Sequence, residues 1–289
     1  MDPASRIETA LTTAMRRAES GTAPPLLAAA MRHAVFPRGA RVRPRLCLAV
    51  AASCGANDLE AAVAAGAAIE FLHAASLVHD DLPCFDDAPL RRGRPSVHVA
   101  FGEALAVLAG DALIVLGFQT LALGCAAAPA LLGRLCALVA QSVGMPGGIV
   151  AGQAWESESE IDLARYHRAK TGALFAAATM AGALAAGMAP EPWRALGEGL
   201  GEAYQAADDL GDAAGSAAES GKLPGRDAAR ARPNAAATLG IGGALAALDR
   251  IAEAAVASIP DCPGRESLAG LIRQEAHRLV PAGLAHHAA

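Results

Sequence analysis

Residues 73–94, HAASLVHDDLPCFDDAPLRRGR, join the end of a long apolar segment to a dense group of charged residues. Residues 57–58, Asn-Asp, offer a suitable N-cap, so the apolar pattern predicts a helix from there to Asp81. Pro83 predicts that this helix ends within a turn, because proline cannot continue the helical hydrogen bonding. Four carboxylates lie within positions 80–87, and three arginines follow within the next seven residues. An otherwise apolar chain therefore concentrates charge at one helix end, where a functional site is expected.

The rest of the sequence also indicates helices. Of its 289 residues, 53% are hydrophobic and only 3% aromatic. Alanine and leucine dominate, and valine and isoleucine do not form the alternating runs that strands require. No linker is long enough to separate domains, so we predict an all-α protein with a single domain over residues 1–289. The predicted helices span residues 5–17, 24–35, 44–53, 58–81, 97–124, 128–143, 147–157, 161–187, 191–214, 234–258 and 264–280.

Charge and cysteine usage exclude several classes of protein. The formal charge of -5 is mild and the two signs are interspersed, so neither a nucleic-acid-binding face nor a polybasic membrane tether is expected. The first residues lack the pattern of a secretory signal. The uncharged stretch 171–190 is rich in alanine and glycine, which favours a buried helix over stable membrane insertion. The six cysteines form no CxxC pair, and a reduced, cytoplasmic protein is expected.

A second acidic cluster, YQAADDLGD, occupies residues 204–212. Asp208 and Asp212 are four positions apart, so both side chains project from one face of a helix. Two unit charges about 4 Å apart repel by about 1 kcal/mol in water and by about 4 kcal/mol at an effective dielectric of 20. A cation is therefore expected between them. Mg²⁺ suits oxygen ligands better than Zn²⁺ does, and no His/Cys set with zinc spacing accompanies them. Taken alone, the same segment also fits a solvated helix face.

The first cluster needs a different geometry, because Pro83 prevents its acids from sharing one helical face. The loop must bring Asp86 back beside Asp80 to form a second carboxylate site. Basic residues occupy turns or helix ends at Arg41, Arg43, Arg91, Arg92, Lys170, Lys222, Arg226 and Arg232. Carboxylates that bind Mg²⁺, together with guanidinium groups, are typical of a pocket that binds polyphosphate. No GxxxxGK[ST] motif is present, and an apolar helical framework indicates a substrate with a diphosphate head and an apolar tail.

Six motifs in order resemble those of the trans-isoprenyl (polyprenyl) diphosphate synthases. The segment from Asp80 to Gly93 resembles the family's first aspartate-rich motif, DDxxxxD followed by RRG, and residues 204–212 resemble the second, DDxxD. The other four are ARVRP at 40–44, GIVAGQ at 148–153, HRAKTGALF at 167–175, and GKLPGRD at 221–227 with RPN at 232–234. The chain is most similar to bacterial geranylgeranyl diphosphate synthases of carotenoid pathways. This implies a bundle of long helices around a deep central apolar cavity, and a homodimer.

The resemblance also implies a role for each motif residue. Asp80 and Asp86 would hold two Mg²⁺ ions with Asp81 in support, and Asp208 would hold a third with help from Asp212. The residues that would bind the allylic diphosphate are Arg91, Lys170, Lys222 and Arg232. Those that would bind isopentenyl diphosphate are Arg43, His73 and Arg92. Those that would face the allylic cation are Thr171, Gln205 and the carbonyl of Lys170. The implied chemistry is ionisation, condensation and elimination.

One position departs from the family pattern. The lysine of the family's GGK turn is Ala40 here, and the loss of one charge-assisted contact costs about 1.5–3 kcal/mol. We hypothesise that Arg38 or Arg41 partly replaces that lysine.

Product length is expected to depend on two small residues before the first cluster. Ala75 and Ser76 are the fifth and fourth residues before Asp80, and a rise of 1.5 Å per residue places Ala75 about 7.5 Å below the metals. Farnesyl-forming relatives carry a bulky aromatic residue there. Ala75 therefore predicts elongation to twenty carbons. Phe118 is a candidate for the residue that closes the apolar pocket below Ala75 and stops further elongation.

Several alternatives remain at this stage. A farnesyl diphosphate synthase of the same family, a class I terpene cyclase, a diphosphate hydrolase and a non-catalytic subunit all share some of these features. His73 also fits a core histidine, and Gln153 and Glu156 also fit core polar groups near the pocket. Cys84 has no evident base beside it, so we interpret it as a spacer.

Overall fold

A computed structural model describes residues 2–36, 39–213 and 235–279. Its helices are α1 (Pro3–Ala18), α2 (Pro25–Val35), α3 (Val42–Ser53), α4 (Glu60–Asp80), α5 (Val97–Phe101), α6 (Glu103–Gly124), α7 (Pro129–Val143), α8 (Ile149–Ala154), α9 (Leu163–His167), α10 (Ala173–Ala185), α11 (Arg194–Ala213), α12 (Ala235–Ala257) and α13 (Arg265–Leu279). Short 3₁₀ turns cover Trp155–Ser157 and Glu191–Trp193, a π-helical turn covers Arg168–Gly172, and two strands pair as β1 (Leu90–Arg91) and β2 (Arg94–Pro95). The predicted all-α fold is confirmed.

Helix α4 lies at the centre of the bundle and ends at the site. It is buried around most of its circumference, and it packs against α3, α6 and α10. Small residues permit these close approaches. A Cβ atom added at Gly182 of α10 would lie 2.3 Å from the carbonyl oxygen of Cys47 of α3. A Cβ atom at Gly197 of α11 would lie 2.4 Å from the Cα atom of Ala176. The glycines thus allow α3, α10 and α11 to meet backbone to backbone, which places their functional residues around the end of α4.

Three predicted elements differ in detail from the structure. Residues 90–95 were expected to be loop, and they form the β1–β2 hairpin with Arg92 and Gly93 at φ 52° and 72° in its turn. The predicted helix 97–124 is divided at Gly102, whose φ is 88°. Helix α4 begins at Glu60 with Leu59 as its N-cap, and Asp58 Oδ1 accepts a hydrogen bond from the Glu60 amide at 2.9 Å.

One hydrophobic core contains residues from α1 through α13, for example Ile7, Phe71, Phe175 and Ile272. Both α4 and α6 are long and apolar enough to cross a membrane by length and composition alone. Most of α4 is buried inside the bundle, whereas less than half of the apolar window of α6 is buried. The deep central cavity and the single-domain extent over residues 1–289 remain predictions.

Candidate active site

The loop after α4 folds back on the helix end. The Asp86 amide donates to the Asp80 carbonyl oxygen at 2.9 Å, and the Ala88 amide donates to that of Asp81 at 3.1 Å. This geometry agrees with the expectation that the loop returns Asp86 to Asp80. Burial raises the pKa of the Asp80 carboxyl, and nearby Asp86 raises it further, whereas Lys170 opposes the shift. Two acids are therefore held at one helix end where a cation would stabilise them.

Asp81 is paired with an arginine of the hairpin. Its carboxylate is buried, and Arg91 Nε donates to Oδ1 at 3.0 Å and to Oδ2 at 3.1 Å, while Arg91 Nη2 also contacts Oδ1. Arg91 Nη2 lies 3.7 Å from Asp80 Oδ2. The fork of hydrogen bonds fixes the orientation of the guanidinium group. Asp81 thus orients Arg91 in this structure, and its predicted support of a metal remains a prediction.

Lys170 also lies close to Asp80. It lies in the π-helical turn Arg168–Gly172, and its Nζ is 3.5 Å from Asp80 Oδ1 and 2.5 Å from Glu156 Oε1. The turn is packed tightly, because a Cβ atom at Gly152 would lie 2.5 Å from the Lys170 amide nitrogen. An inserted π turn re-aims the side chains around it, and such turns are frequent at functional sites.

Glu156 has a role that the sequence left undecided. Its Oε1 accepts from Tyr166 Oη at 2.6 Å and from Lys170 Nζ, and its Oε2 accepts from Gln153 Nε2 at 3.1 Å. This carboxylate therefore connects α8 and α9 to the lysine. The available signal was a pair of polar residues at i and i+3, followed 14 residues after Glu156 by a lysine that needs a partner if it is buried.

Thr171 connects the π-helical turn to the second acidic cluster through hydrogen bonds. Thr171 Oγ1 donates to Gln205 Oε1 at 3.3 Å, and Gln205 Nε2 donates to Asp209 Oδ1 at 3.0 Å. Consecutive residues of the π turn thus contact the first cluster through Lys170 and the second cluster through Thr171. Asp209 is buried and Asp208 is exposed on α11. The Asp212 side chain, in the last turn of α11, lies outside the described residues, as do Lys222, Arg226 and Arg232.

The three residues expected to bind isopentenyl diphosphate are brought together. The Arg43 guanidinium lies 4.3 Å from the centre of the Phe175 ring, and its buried Nε donates to no described residue. Burial lowers the pKa of Arg43, and the charge of Arg92 lowers it further. The pKa of His73 is well below its usual range because of burial and of Arg43, Arg92 and Arg91. A neutral histidine among several guanidinium groups is a surface suited to an anion.

Arg41 does not replace the missing lysine at position 40. Its Nε donates to Glu8 at 2.9 Å, its Nη1 to Glu70 at 2.7 Å and its Nη2 to the Val35 carbonyl oxygen at 2.8 Å. The Arg41 and Glu70 side chains are each only 5% exposed. All three guanidinium nitrogens are therefore engaged in a buried network, and the hypothesis for Arg41 is wrong. Arg38 lies outside the described residues.

The acids fit a magnesium site that the substrate completes. In residues 2–36, 39–213 and 235–279, no three His, Cys, Asp or Glu side chains are close enough to form a metal site by themselves. Asp80 Oδ1 is nevertheless buried without a hydrogen bond from any described residue. Mg²⁺ is usually bound by one or two carboxylates together with phosphate oxygens and water. A carboxylate oxygen with unused capacity at the end of α4 suits that kind of coordination.

Acids at one helix end, acids on a second helix and guanidinium groups near them are typical of an all-α protein that binds a phosphate ester together with a divalent cation. Residues 24–256 match the family model described as polyprenyl synthetase. The chain therefore belongs to the polyprenyl synthetase family.

Named relatives and a solved structure agree with this membership. The chain is 52% identical over 280 residues to "Geranylgeranyl diphosphate synthase" of Cereibacter sphaeroides, covering 97% of both proteins. It is also 52% identical to the protein of that name from Rhodobacter capsulatus, covering 95% of both. The geranyltransferase of Helicobacter pylori, solved in complex with magnesium and isoprenyl diphosphate, is 26% identical with a TM-score of 0.79, covering 95% of this chain and 97% of that one.

Proposed function

We infer that this protein is a trans-prenyltransferase that forms all-trans geranylgeranyl diphosphate. It condenses isopentenyl diphosphate with the allylic dimethylallyl, geranyl and farnesyl diphosphates. The observation that carries this function is the position of Asp80, held between Asp86, Arg91 and Lys170 at the end of an apolar helix. The two relatives at 52% identity are named for this activity, and the similarity covers nearly the whole length of each.

The allylic diphosphate is proposed to bind where the two acidic clusters meet. Arg91 and Lys170 hold its oxygens, with Lys222 and Arg232 as further proposed contacts. Asp80, Asp86 and Asp208, with Asp81 and Asp212 in support, would hold Mg²⁺ in three proposed positions, and the bound ions would supply positive charge against the diphosphate. The protein residues fix the geometry of the leaving group before reaction, so little reorganisation is needed as charge develops.

The other residues orient the second substrate and the cation. Arg43, His73 and Arg92 hold the diphosphate of isopentenyl diphosphate so that its double bond can attack the allylic carbon. Thr171 and Gln205 present oxygen dipoles to the cation, and the hydrogen bond from Gln205 Nε2 to Asp209 keeps the amide oxygen turned toward Thr171. The released diphosphate accepts the proton that is lost in the elimination.

Product analysis tests this function directly. The protein is incubated with labelled isopentenyl diphosphate, farnesyl diphosphate and Mg²⁺, and a twenty-carbon diphosphate is expected. A hydrocarbon product would indicate a terpene cyclase, and free phosphate or diphosphate alone would indicate a hydrolase. With geranyl diphosphate as starter, accumulation of only fifteen carbons would indicate a farnesyl diphosphate synthase. No turnover in any of these reactions would indicate a non-catalytic subunit.

We also propose that the protein is a homodimer that uses the exposed face of α6. Val107, Leu108, Val115 and Leu123 on this helix are between 42% and 68% exposed. A long apolar face that remains solvent-exposed in one chain is typical of a subunit interface, and a second copy would pair it by two-fold symmetry. Such a pairing would cover the apolar face of α6, which fits our proposal of a cytoplasmic protein without stable membrane insertion. We further propose one domain over residues 1–289.

The double substitution Leu108→Glu and Val115→Glu is expected to convert the dimer to a monomer, because it would bury four uncompensated charges in a two-fold interface. Sedimentation equilibrium measures the mass in solution. The matched control is Leu26→Glu on α2, where the leucine is 65% exposed, and this variant should remain dimeric. A monomeric unsubstituted protein, or a dimer that survives the double substitution, would contradict the proposal.

A further inference from the structure

The hairpin that carries Arg91 and Arg92 has little packing of its own. It contains two residue pairs, Leu90 with Pro95 and Arg91 with Arg94. Two-stranded hairpins are at best marginally stable in water. A cleft lies between the hairpin and the helices α2 and α4, lined by residues that include His33, Ala74, Leu77, Val78, Arg92 and Pro95. Packed side chains therefore do not fully support the hairpin, and polar contacts must fix its position.

The first strand is held by the buried pair of Asp81 and Arg91. The second strand is held by a separate group of contacts, which we name the α2 latch and define as His33, Arg94, and the carbonyl groups of Phe36 and Pro95. His33 Nε2 lies 2.7 Å from the Pro95 carbonyl oxygen, and Arg94 Nη2 lies 3.1 Å from His33 Nδ1. Arg94 Nη1 donates to the Phe36 carbonyl oxygen at 3.1 Å.

The α2 latch has a fixed direction of donation. A guanidinium group can only donate, so His33 Nδ1 is the acceptor and the ring proton is on Nε2, where it is donated to Pro95. The His33 ring also contacts Phe101 edge to face, with centroids 5.4 Å apart. The imidazole thus joins α2, α5 and β2 with both nitrogens engaged.

We propose that His33 and Arg94 are positioning residues that hold the turn bearing Arg92 in place for the diphosphate of isopentenyl diphosphate. The proposal rests on the role assigned to Arg92 under the proposed function. Arg92 lies at the tip of the hairpin, between Arg91, which Asp81 anchors, and Arg94, which the α2 latch anchors. Release of the latch leaves Arg91 in place and frees the far side of the turn, so the binding of isopentenyl diphosphate weakens more than that of the allylic substrate.

Three variants test the α2 latch: His33→Phe, which keeps the ring contact with Phe101 and loses both polar contacts, Arg94→Met, and the double variant. Each single change is expected to raise the KM for isopentenyl diphosphate about five-fold, as the loss of a partly exposed hydrogen bond to a charged group does. The double variant should show about the same rise in KM as either single variant, because each single change already disrupts the α2 latch. The kcat and the KM for farnesyl diphosphate should change by less than about two-fold.

His33→Gln should recover part of the lost affinity, since its amide nitrogen can again donate to Pro95. The matched control is Arg273→Met on α13, which removes an exposed ion pair with Glu253 and involves no residue of the α2 latch, and its KM values should not change. Thermal unfolding of all variants establishes that they are folded. Because Arg94 is exposed, the Arg94→Met variant decides the matter even if His33→Phe is unstable.

Arg92→Ala separates a failure of the proposed function from a failure of the α2 latch. If this change leaves the KM for isopentenyl diphosphate unaltered, the role of Arg92 in the proposed function is wrong. If Arg92→Ala raises that KM and folded Arg94→Met does not, the α2 latch is overturned while the proposed function stands. Equal rises in the KM of both substrates, or strictly additive effects in the double variant, would also overturn the latch.

Discussion

Replacement of Ala75 by tyrosine is expected to change the main product from geranylgeranyl diphosphate to farnesyl diphosphate. Ala75 is 1% exposed and lies on α4 five residues before Asp80. The helical rise places it about 7.5 Å from the acid, near the end of a fifteen-carbon tail. A ring at this position obstructs the next five carbons. One misfit group in an apolar pocket changes the preference by about 10- to 200-fold, so the ratio of the two products should invert.

Chromatography of the dephosphorylated products, made from labelled isopentenyl diphosphate and geranyl diphosphate, measures this ratio. The control is Ala52→Tyr at an exposed position of α3, which should leave the product unchanged. Overpacking a core by a ring costs about 1–3 kcal/mol or more, so thermal unfolding must show that Ala75→Tyr is folded. Unaltered twenty-carbon product from a folded variant would show that Ala75 does not lie at the closed end of the substrate pocket. Phe118 would then be the next residue to replace.

The neighbouring Ser76 is a weaker determinant on structural grounds. It is half-buried, and its hydroxyl donates to the His73 carbonyl oxygen at 2.9 Å within the same helix. Its side chain is therefore engaged locally, whereas Ala75 is fully enclosed by the bundle. A substitution at Ala75 consequently acts on the interior of the protein more directly than one at Ser76.

The sequence predicted the helices and the return of Asp86 to Asp80 because both depend on local signals. Apolar periodicity, the proline at 83 and the spacing of the acids are visible within a few residues of each other. The hairpin was missed because two-residue strands carry no periodic pattern and depend on pairing. The π turn at Arg168–Gly172 was missed because it packs against Gly152, which is distant in the sequence.

The partners of buried charges could not be predicted for the same physical reason. Arg41 is paired with Glu8 and Glu70, which are 33 and 29 residues away along the chain. Lys170 is bound to Glu156, 14 residues before it. Each pairing is decided by how helices pack, and sequence shows only that a buried charge needs some partner. Sequence therefore could not show that Arg41 is engaged in a buried network, whereas the Nε of Arg43 donates to no described residue.

Replacement of Asp80 by asparagine is expected to lower kcat by about 10³-fold or more. The asparagine has almost the shape of the aspartate but no charge, so it cannot bind Mg²⁺ as a carboxylate or balance Lys170 and Arg91, which lie 3.5 and 3.7 Å from it. Loss of one preorganised electrostatic contact costs about 10²–10³ in rate, and the loss of a metal ligand adds to that. Asp87→Asn is the matched control, since Asp87 lies in the same loop and is 74% exposed, and its activity should be nearly unchanged.

Stability and binding measurements separate a functional effect of Asp80→Asn from a folding defect. Burial raises the pKa of Asp80, so ionisation of its carboxyl makes folding less favourable than ionisation of an unperturbed aspartate would. Without metal, the asparagine variant should therefore unfold at the same temperature as the unsubstituted protein or a higher one. Inorganic diphosphate with Mg²⁺ should raise the unfolding temperature of the unsubstituted protein and of Asp87→Asn, but not of Asp80→Asn. An active Asp80→Asn variant, or one that diphosphate and Mg²⁺ still stabilise fully, would show that Asp80 is not a metal ligand.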